Sequence, residues 1–315
     1  MRVDERPSAV LIYHRVASLA RNIHWIAITP ESFRSQIETL TRDWLVRPLA
    51  DVVQAARSGH PAAGTVALTF DDGYLDNLEV VLPILEEFSA PATFFLTTAS
   101  FDRPRRYWWD VLEVAVLNNP RLGPTLALDV DGERQLFPVH DDASRQATHD
   151  TLYPMLKARV PASRDPLVGQ LAALVTDDRF DSMARPLLRH EIDRIASHLL
   201  IDIGAHTVHH PLLPTLTPDD AVREVFDSRT ALERMIGKKV RHFAYPHGLT
   251  SPSVVWTVDA AGFDAAVTCE PRVLRPREHR LCVPRLWTCE ENGASLTARL
   301  TALAASAPLA ANQVA

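Results

Sequence analysis

Short apolar runs alternate with amphipathic segments along the first hundred residues. The runs VLIY (10–13), TVALTF (65–70) and ATFFLT (92–97) are short and rich in β-branched or aromatic residues, so each predicts a buried strand. Between the second and third runs, four apolar residues recur at helical spacing and predict one helix: Leu78, Val81, Leu85 and Phe88.

Two further helices carry recognisable start or stop signals. In TPESFRSQIETL, Thr29 is the predicted N-cap and Pro30 takes the first helical position. In TPDDAVREVFDSRTALERMIG, Thr217 is the predicted N-cap, Asp220 completes a capping-box pattern and Gly237 ends the helix.

The alternation of strands and helices resumes near residue 199. It predicts strands in LLIDIGAH (199–206), VRHFAYP (240–246), DAAVTC (264–269) and CVPRLW (282–287), with a last helix from about Ser295. Repeated β-α units predict an α/β fold, either a parallel barrel or a doubly wound sheet. In both folds the functional site lies at the C-terminal ends of the strands.

One region interrupts this pattern. Residues 101–189 contain RPRRYWWD, proline-rich loops and mixed helical segments, and they predict a mostly helical insertion. We expect residues 1–100 and 190–306 to form the main domain. The alanine-rich tail, 307–315, is predicted to be disordered.

Charge and hydropathy exclude several classes of function. The 315 residues carry a net charge of -6, so we expect no nucleic-acid partner. No segment has the roughly 20 consecutive apolar residues that a transmembrane helix needs. The start, MRVDERPSAV, lacks a signal-peptide pattern, which predicts a cytoplasmic protein, at most peripheral to the inner membrane. The oligomeric state stays open.

The cysteines do not suggest a disulfide framework or a thiolate zinc site. Cys269, Cys282 and Cys289 are odd in number and have no CxxC spacing. We expect three free thiols, as is usual in a reducing compartment.

Polar side chains follow several predicted strands at the point where each strand ends. Asp71 and Asp72 follow TVALTF, a cluster that contains His206 and His210 follows LLIDIG, and His14 follows VLIY. Adjacent carboxylates repel each other unless a cation, a proton or hydrogen bonds compensate. Two histidines four residues apart, with one carboxylate, can hold a metal ion with open positions. Asp72 would be the third ligand, and Asp71 would remain ionised as a general base.

Simpler interpretations exist for each part. Asp-Asp-Gly is a common turn sequence, and a histidine cluster is more often exposed polar surface than a metal site. The occurrence of both clusters at strand ends favours the metal hypothesis over either alone. His209, between the two candidate ligands, is interpreted as a non-ligand.

Taken together, TFDDGY, HTVHHP and FAYPHG resemble the three main motifs of the polysaccharide deacetylases, carbohydrate esterase family 4 or the NodB-homology domain. VLIYHRV, PATFFL, AGFDAAVT and VPRLW match the flanking regions. The resemblance covers about 10–100 and 190–300. It implies a distorted (β/α) barrel with fewer than eight strands and one divalent metal ion, usually Zn²⁺, with Co²⁺, Ni²⁺ or Mn²⁺ as alternatives.

The resemblance also implies roles for individual residues. Asp71 becomes the catalytic base, and the metal ligands become Asp72, His206 and His210, while Thr207 orients the histidine loop. The third motif implies a substrate-groove position and an oxyanion-binding backbone N–H for Tyr245, with His247 close by.

The chain departs from the family pattern by its insertion at about 101–190, which is longer than the short catalytic core needs, and in two motif positions. The third motif of many members carries an arginine that pairs with the base; this chain has none there, so we expect Arg285 to supply the charge. No Leu-x-His follows near the C-terminus, where many members place the general acid. His14 is the substitute candidate, ahead of His247 and His279.

Residues at the start of the insertion have two interpretations. Trp108 and Trp109 could stack on sugar rings, but tryptophans in an insertion more often anchor its own core. Arg105 and Arg106 are expected to be solvated, although they could meet the phosphate of a lipid- or nucleotide-linked sugar.

The predicted function is metal-dependent removal of an N-acetyl or related acyl group from an amino sugar. The expected substrate is a saccharide or glycolipid precursor, or a lipid- or nucleotide-linked sugar. Deformylation or hydrolysis of a non-sugar amide would use the same chemistry. The alternatives are a catalytically silent carbohydrate-binding module and a redox-active iron site.

Overall fold

A curled sheet of parallel strands forms the centre of the fold. The computed structural model describes residues 6–101, 105–176 and 180–305; the predicted disordered tail, 307–315, lies outside the described residues. The strands are β1 (Ala9–Tyr13), β2 (Arg15–Val16), β3 (Ala27–Ile28), β4 (Leu45–Val46), β5 (Thr65–Phe70), β6 (Ala92–Leu96), β7 (Thr125–Val130), β8 (Glu133–Pro138), β9 (Ile201–Ala205), β10 (His242–Ala244), β11 (Ala265–Val267) and β12 (Leu286–Trp287).

The main sheet is wholly parallel and nearly closes on itself. Its order is β11-β10-β9-β6-β5-β1-β12, and β4 pairs with the start of β5. A parallel bridge joins Val267 of β11 to Val283, which shortly precedes β12. This bridge brings the two ends of the strand order together at one point. The sheet therefore curls into an incompletely closed barrel, which is one of the two predicted architectures.

Helices surround the barrel and form most of the insertion. They are α1 (Pro30–Asp43), α2 (Leu49–Arg57), α3 (Leu82–Glu87), α4 (Trp108–Val116), α5 (Asp142–Lys157), α6 (Pro161–Ala172), α7 (Arg189–Ala196), α8 (Pro218–Ile236), α9 (Pro252–Ala260) and α10 (Gly293–Ala305). No helix among the described residues is long and apolar enough to cross a membrane.

The predicted helix signals are confirmed, with one difference in detail. Thr29 and Thr217 cap their helices by accepting hydrogen bonds from the N–H groups of Ser32 and Asp220, and Gly237 ends α8 in the left-handed conformation. The capping box is only half formed, because the Asp220 carboxylate accepts from the Thr217 hydroxyl at 2.6 Å and not from the Thr217 backbone N–H.

The helix predicted between β5 and β6 begins with a wide turn. Residues Asn77–Val81 form a π-helical turn ahead of α3. Pro83 follows in the first turn of α3 and has no N–H to donate, so the ordinary α-helical hydrogen bond is missing at that point.

Strands of the barrel are buried on both faces. Val66, Leu68 and Phe70 of β5 belong to the large cluster between the sheet and the helices, while Ala67 belongs to a smaller cluster that α2 shares. Burial on both faces explains why these strands appear in the sequence as continuous apolar runs.

The insertion is not only helical. Between α4 and α5, β7 and β8 form an antiparallel hairpin that the sequence analysis did not predict. Asp131 and Gly132 join the strands with φ angles of 55° and 87°, the backbone that a type I′ turn requires and that Asp-Gly favours. The insertion forms most of a separate hydrophobic cluster, which includes Trp108, Leu112 and Leu152 together with Tyr74 of the barrel.

The C-terminal ends of the strands are shaped by tight turns. Asp72 and Gly73 follow β5 with φ angles of 71° and 73°. A Cβ on Gly73 would lie 2.4 Å from Cδ2 of Leu96, so the close approach of β6 and the positive φ both require glycine. The Asp-Asp-Gly sequence is therefore a turn, and this turn directs both carboxylates to one end of the barrel.

Candidate active site

The predicted site residues of the barrel meet at one cavity. Its volume is about 220 Å³, and it lies at the C-terminal ends of β1, β5 and β9. Six of the predicted residues line it: His14, Asp71, Asp72, His206, His210 and His247.

Asp71 is held by Arg285 at the base of this cavity. The two terminal nitrogens of Arg285 donate hydrogen bonds of 2.7 Å to the two carboxylate oxygens of Asp71. The Nε of Arg285 donates to the Thr268 carbonyl, and its Nη1 also donates to the Thr69 hydroxyl. Burial alone would raise the pKa of Asp71, but the guanidinium holds this pKa below its usual range. Arg285 therefore provides the pairing charge that the third motif lacks.

Asp72 faces two histidines and has no such partner. Its Oδ1 lies 3.6 Å from Nε2 of His206 and 3.5 Å from Nε2 of His210. All three residues are buried, and their potential ligand atoms lie within 4.8 Å of one another. Among the described residues, Oδ1 of Asp72 has no hydrogen-bond partner. Burial and the neighbouring Asp71 raise the pKa of Asp72 well above its usual range.

The loop that carries the two histidines is an irregular turn. Thr207 and His210 have φ angles of 66° and 54°, and the Thr207 hydroxyl accepts the His210 N–H at 3.0 Å. The Nδ1 of His206 is 2.7 Å from the Ala244 carbonyl. This contact requires a proton on Nδ1 and leaves Nε2 free to bind a metal ion.

His14 stands at the cavity beside an aromatic residue. Its ring is stacked on Trp287, with centroids 4.9 Å apart and planes 17° apart. Burial lowers the pKa of His14 to about 4, although the Asp71 carboxylate opposes this shift. The imidazole is therefore neutral at pH 7 in the free protein.

Sequence comparison identifies the family to which this constellation belongs. The sequence profile of the polysaccharide deacetylase family matches residues 58–119 and 133–266, which together make up more than half of the chain. The chain belongs to the polysaccharide deacetylase family. No curated protein sequence matches it.

Solved structures with a similar fold come from several bacteria. The deacetylase PplD of Streptococcus pyogenes, solved with acetate, has a TM-score of 0.61 and 17% identity over 93% of this chain and 98% of its own. IcaB of Ammonifex degensii has a TM-score of 0.60 and 18% identity over 96% and 98%. A de-N-acetylase from Aggregatibacter actinomycetemcomitans has a TM-score of 0.58 and 16% identity over 93% and 99%. These likenesses confirm the predicted distorted (β/α) barrel.

Tyr245, predicted from the family's third motif, does not line the cavity. Its hydroxyl donates to the Leu281 carbonyl at 2.9 Å, and its backbone N–H donates to the Val267 carbonyl at 3.2 Å. The structure contradicts the prediction that this N–H binds an oxyanion, because the group is already bonded to the neighbouring strand.

His247, two residues later, takes the position at the cavity. Its ring packs edge-to-face on His210 with centroids 4.6 Å apart, and its φ angle is 58°. Its backbone N–H has no acceptor among the described residues. Burial lowers the pKa of His247 to about 3, so its side chain is neutral at pH 7.

Other candidate histidines lie away from the cavity. His209 is directed toward α8, where its Nδ1 is 2.7 Å from Glu224, in agreement with its interpretation as a non-ligand. His279 is exposed, and its Nδ1 accepts the Leu281 N–H at 3.2 Å. The structure therefore does not bring His279 to the candidate site.

Residues at the start of the insertion mostly serve its own packing. Trp108 is buried in the insertion cluster, whereas Trp109 lines the cavity with its ring stacked on Tyr107 at 4.5 Å. Arg105 pairs with Asp165 at 2.6 Å, and Arg106 donates to the Ala184 carbonyl. Arg105 is exposed, as predicted, and Arg106 is partly buried; neither arginine lines the candidate active-site cavity.

The rest of the cavity wall consists of residues that sequence reasoning missed. Tyr153 and Lys157, one turn apart on α5, line it from the insertion, and His24 and Ile26 line it from the segment before β3. No local pattern marks these residues, since only contacts between distant segments bring them to the site. Cys269 also lines the cavity and is one of three free thiols, as predicted.

Proposed function

We propose that this chain is a metal-dependent hydrolase that removes an N-acetyl or related acyl group from an amino sugar. The substrate class is a saccharide or glycolipid precursor, including lipid- and nucleotide-linked sugars. The observation that carries the proposal is the pair of adjacent carboxylates with different environments. Asp71 is bonded on both oxygens to Arg285, while Asp72 faces two imidazoles.

A divalent cation fits the site formed by Asp72, His206 and His210. Oδ1 of Asp72 is buried without a partner among the described residues, which is costly for a carboxylate unless a cation lies beside it. Two imidazoles and one carboxylate suit Zn²⁺, and also Co²⁺, Ni²⁺ or Mn²⁺. When bound, such an ion supplies Lewis acidity that polarises an acyl carbonyl and acidifies water.

Asp71 is the proposed general base. Its carboxylate remains ionised beside Arg285, so it can accept the proton of the attacking water. Arg285 also fixes the orientation of the carboxylate, since two parallel hydrogen bonds leave it no rotational freedom.

His14 is the proposed donor of a proton to the leaving nitrogen. Because burial lowers the pKa of His14 to about 4, it must receive a proton during the reaction before it can give one. In this proposal the proton that Asp71 takes from the attacking water passes to His14. His14 then gives this proton to the leaving amine. The free N–H of His247 is the proposed donor to the developing oxyanion.

Acetate release tests this function. Chitooligosaccharides and UDP-N-acetylglucosamine would be incubated with metal-loaded protein, with chelated protein and with Asp71→Asn. We expect acetate only from the loaded wild-type protein, while Asp71→Asn keeps its metal. Tight metal binding without acetate from any acylated sugar would instead support a silent carbohydrate-binding module.

A further inference from the structure

One cation in the catalytic cavity has no matching anion. Lys157 lies in the last turn of α5 and lines the cavity from the insertion side. It makes no hydrogen bond or ion pair with any described residue, and burial lowers the pKa of its ammonium group. No carboxylate contributes to that shift.

The other charges of the cavity already have counterparts. Asp71 is neutralised by Arg285, and Asp72 belongs to the proposed metal site. The remaining titratable side chains that line the cavity are imidazoles, a tyrosine and a thiol, and none of them is a carboxylate that could pair with Lys157. Lys157 is therefore a surplus positive charge, and a divalent cation at Asp72 adds to the positive potential.

The position of Lys157 places this charge where a substrate would lie. Lys157 and His247 line the same cavity. Tyr153, four residues earlier on the same helix face, lines the cavity as well, and its ring stacks on His24 at 5.2 Å. One face of α5 thus forms part of the wall of the cavity that His206 and His210 also line.

We propose that Lys157 binds a negatively charged substituent, a carboxylate or a phosphate, on the saccharide that carries the acyl group. The natural substrate is then an acidic amino-sugar derivative. This inference rests on the proposed deacetylase function. A half-buried ammonium without a partner is unfavourable in the free protein, and an anion on the substrate would compensate for it on binding.

Three acylated sugars distinguish the source of the anion. The neutral probe is the methyl glycoside of N-acetylglucosamine, the carboxylate probe is N-acetylglucosaminuronic acid, and the phosphate probe is UDP-N-acetylglucosamine. We expect the metal-loaded protein to have a higher kcat/KM for at least one anionic probe than for the neutral one. This advantage should decrease with added salt.

Substitutions at Lys157 test whether this residue causes the preference. Lys157→Met keeps the aliphatic stem and should lower kcat/KM for the preferred anionic probe by about 10- to 100-fold, mainly through KM. Lys157→Arg should keep most of the preference. Lys239→Met is the matched control, because Lys239 is exposed and makes no contact with the cavity. An equal loss on neutral and anionic probes, or no anionic preference in the wild-type protein, would overturn the proposal.

A second readout does not depend on turnover. The chain has only three lysines, Lys157, Lys238 and Lys239, so reductive methylation can be followed at each by peptide mass spectrometry. Phosphate and glucuronate should protect Lys157 and leave Lys239 unprotected. Acetate release without such protection would overturn this inference and leave the deacetylase function standing. Protection without acetate from any probe would overturn the deacetylase function and leave the anion site standing.

Discussion

Arg285 and Asp71, 214 positions apart in the sequence, form a buried ion pair with two parallel hydrogen bonds of 2.7 Å. The pair separates the behaviour of two adjacent carboxylates, because Asp71 has a pKa below its usual range and Asp72 a pKa well above it. One guanidinium thus keeps Asp71 ionised, as the proposed base requires, and leaves Asp72 available for the proposed cation.

Removal of Arg285 should shift the pH dependence of activity. The base works only when ionised, so activity is present above its pKa and is lost as the pH falls through it. In Arg285→Met, burial would raise the pKa of Asp71, since the opposing charge is gone. We therefore expect kcat to fall and the acidic limb of the kcat/KM profile to move to higher pH, with the metal content unchanged. In Arg285→Lys, which keeps a positive charge, the acidic limb should lie closer to its wild-type position than in Arg285→Met. An acidic limb that stays in place in Arg285→Met would contradict the assignment.

Removal of a metal ligand should remove the metal and the activity together. Asp72→Ala, His206→Ala and His210→Ala each delete one of the three clustered ligands, so we expect metal content measured by plasma mass spectrometry to fall far below one ion per chain. His209→Ala is the matched control, because His209 is directed toward Glu224 and lies outside the cluster. Full occupancy in the three ligand variants, or loss in His209→Ala alone, would show that the ligand set is different.

The sequence predicted the parts of the site that depend on local chemistry. Asp71 and Asp72 follow a strand that is recognisable from its own residues. The positions of His206 and His210 after another predicted strand already connected the two clusters, and the resemblance to a family then implied their roles. The orientation of Tyr245 could not be predicted in this way. It packs in the same large cluster as Phe243, while Ala244 between them belongs to the smaller cluster that α2 shares. Alternation along a strand carries no information when both faces are buried.

Contacts between distant segments were also beyond sequence reasoning. Tyr153 and Lys157 reach the cavity only because the insertion folds back over the barrel, and nothing in the sequence around them indicates this. The β7–β8 hairpin is a different case. Its Asp131-Gly132 turn is a strong local signal for a hairpin. The prediction missed the hairpin because helical patterns dominate the rest of the insertion.

The role of His14 can be separated from general damage by the choice of leaving group. If His14 protonates the leaving nitrogen, His14→Ala should lower amide hydrolysis by about 10²–10⁴-fold. Hydrolysis of 4-nitrophenyl acetate should change little, because its leaving group departs without a proton. Equal losses on both substrates would point to a positioning role. Trp287→Ala removes the ring on which His14 is stacked, and we expect a smaller loss with the same selectivity for the amide.

Arg15 should contribute strongly to stability, because it connects the barrel to the end of the insertion. Its Nε donates to Asp76 at 2.9 Å and its Nη2 to Asp181 at 2.8 Å, and both Arg15 and Asp76 are buried. Arg15→Met leaves the Asp76 carboxylate buried without its cation, which costs on the order of 3–5 kcal/mol. Urea denaturation followed by circular dichroism at pH 7.5 would measure the free energy of unfolding.

The cost of Arg15→Met should decrease at lower pH. Burial already raises the pKa of Asp76, against the effect of Arg15, and the substitution would raise that pKa further. A carboxyl whose pKa is higher in the folded state favours folding more as the pH falls, so the difference from wild type should shrink between pH 7.5 and pH 5. Arg15→Met/Asp76→Asn removes the orphaned charge and should be more stable than Arg15→Met alone at pH 7.5. If the single and double variants unfold at the same urea concentration, the loss comes from packing, for example from the contact of Arg15 with the Tyr74 ring at 4.8 Å, and not from the buried charge.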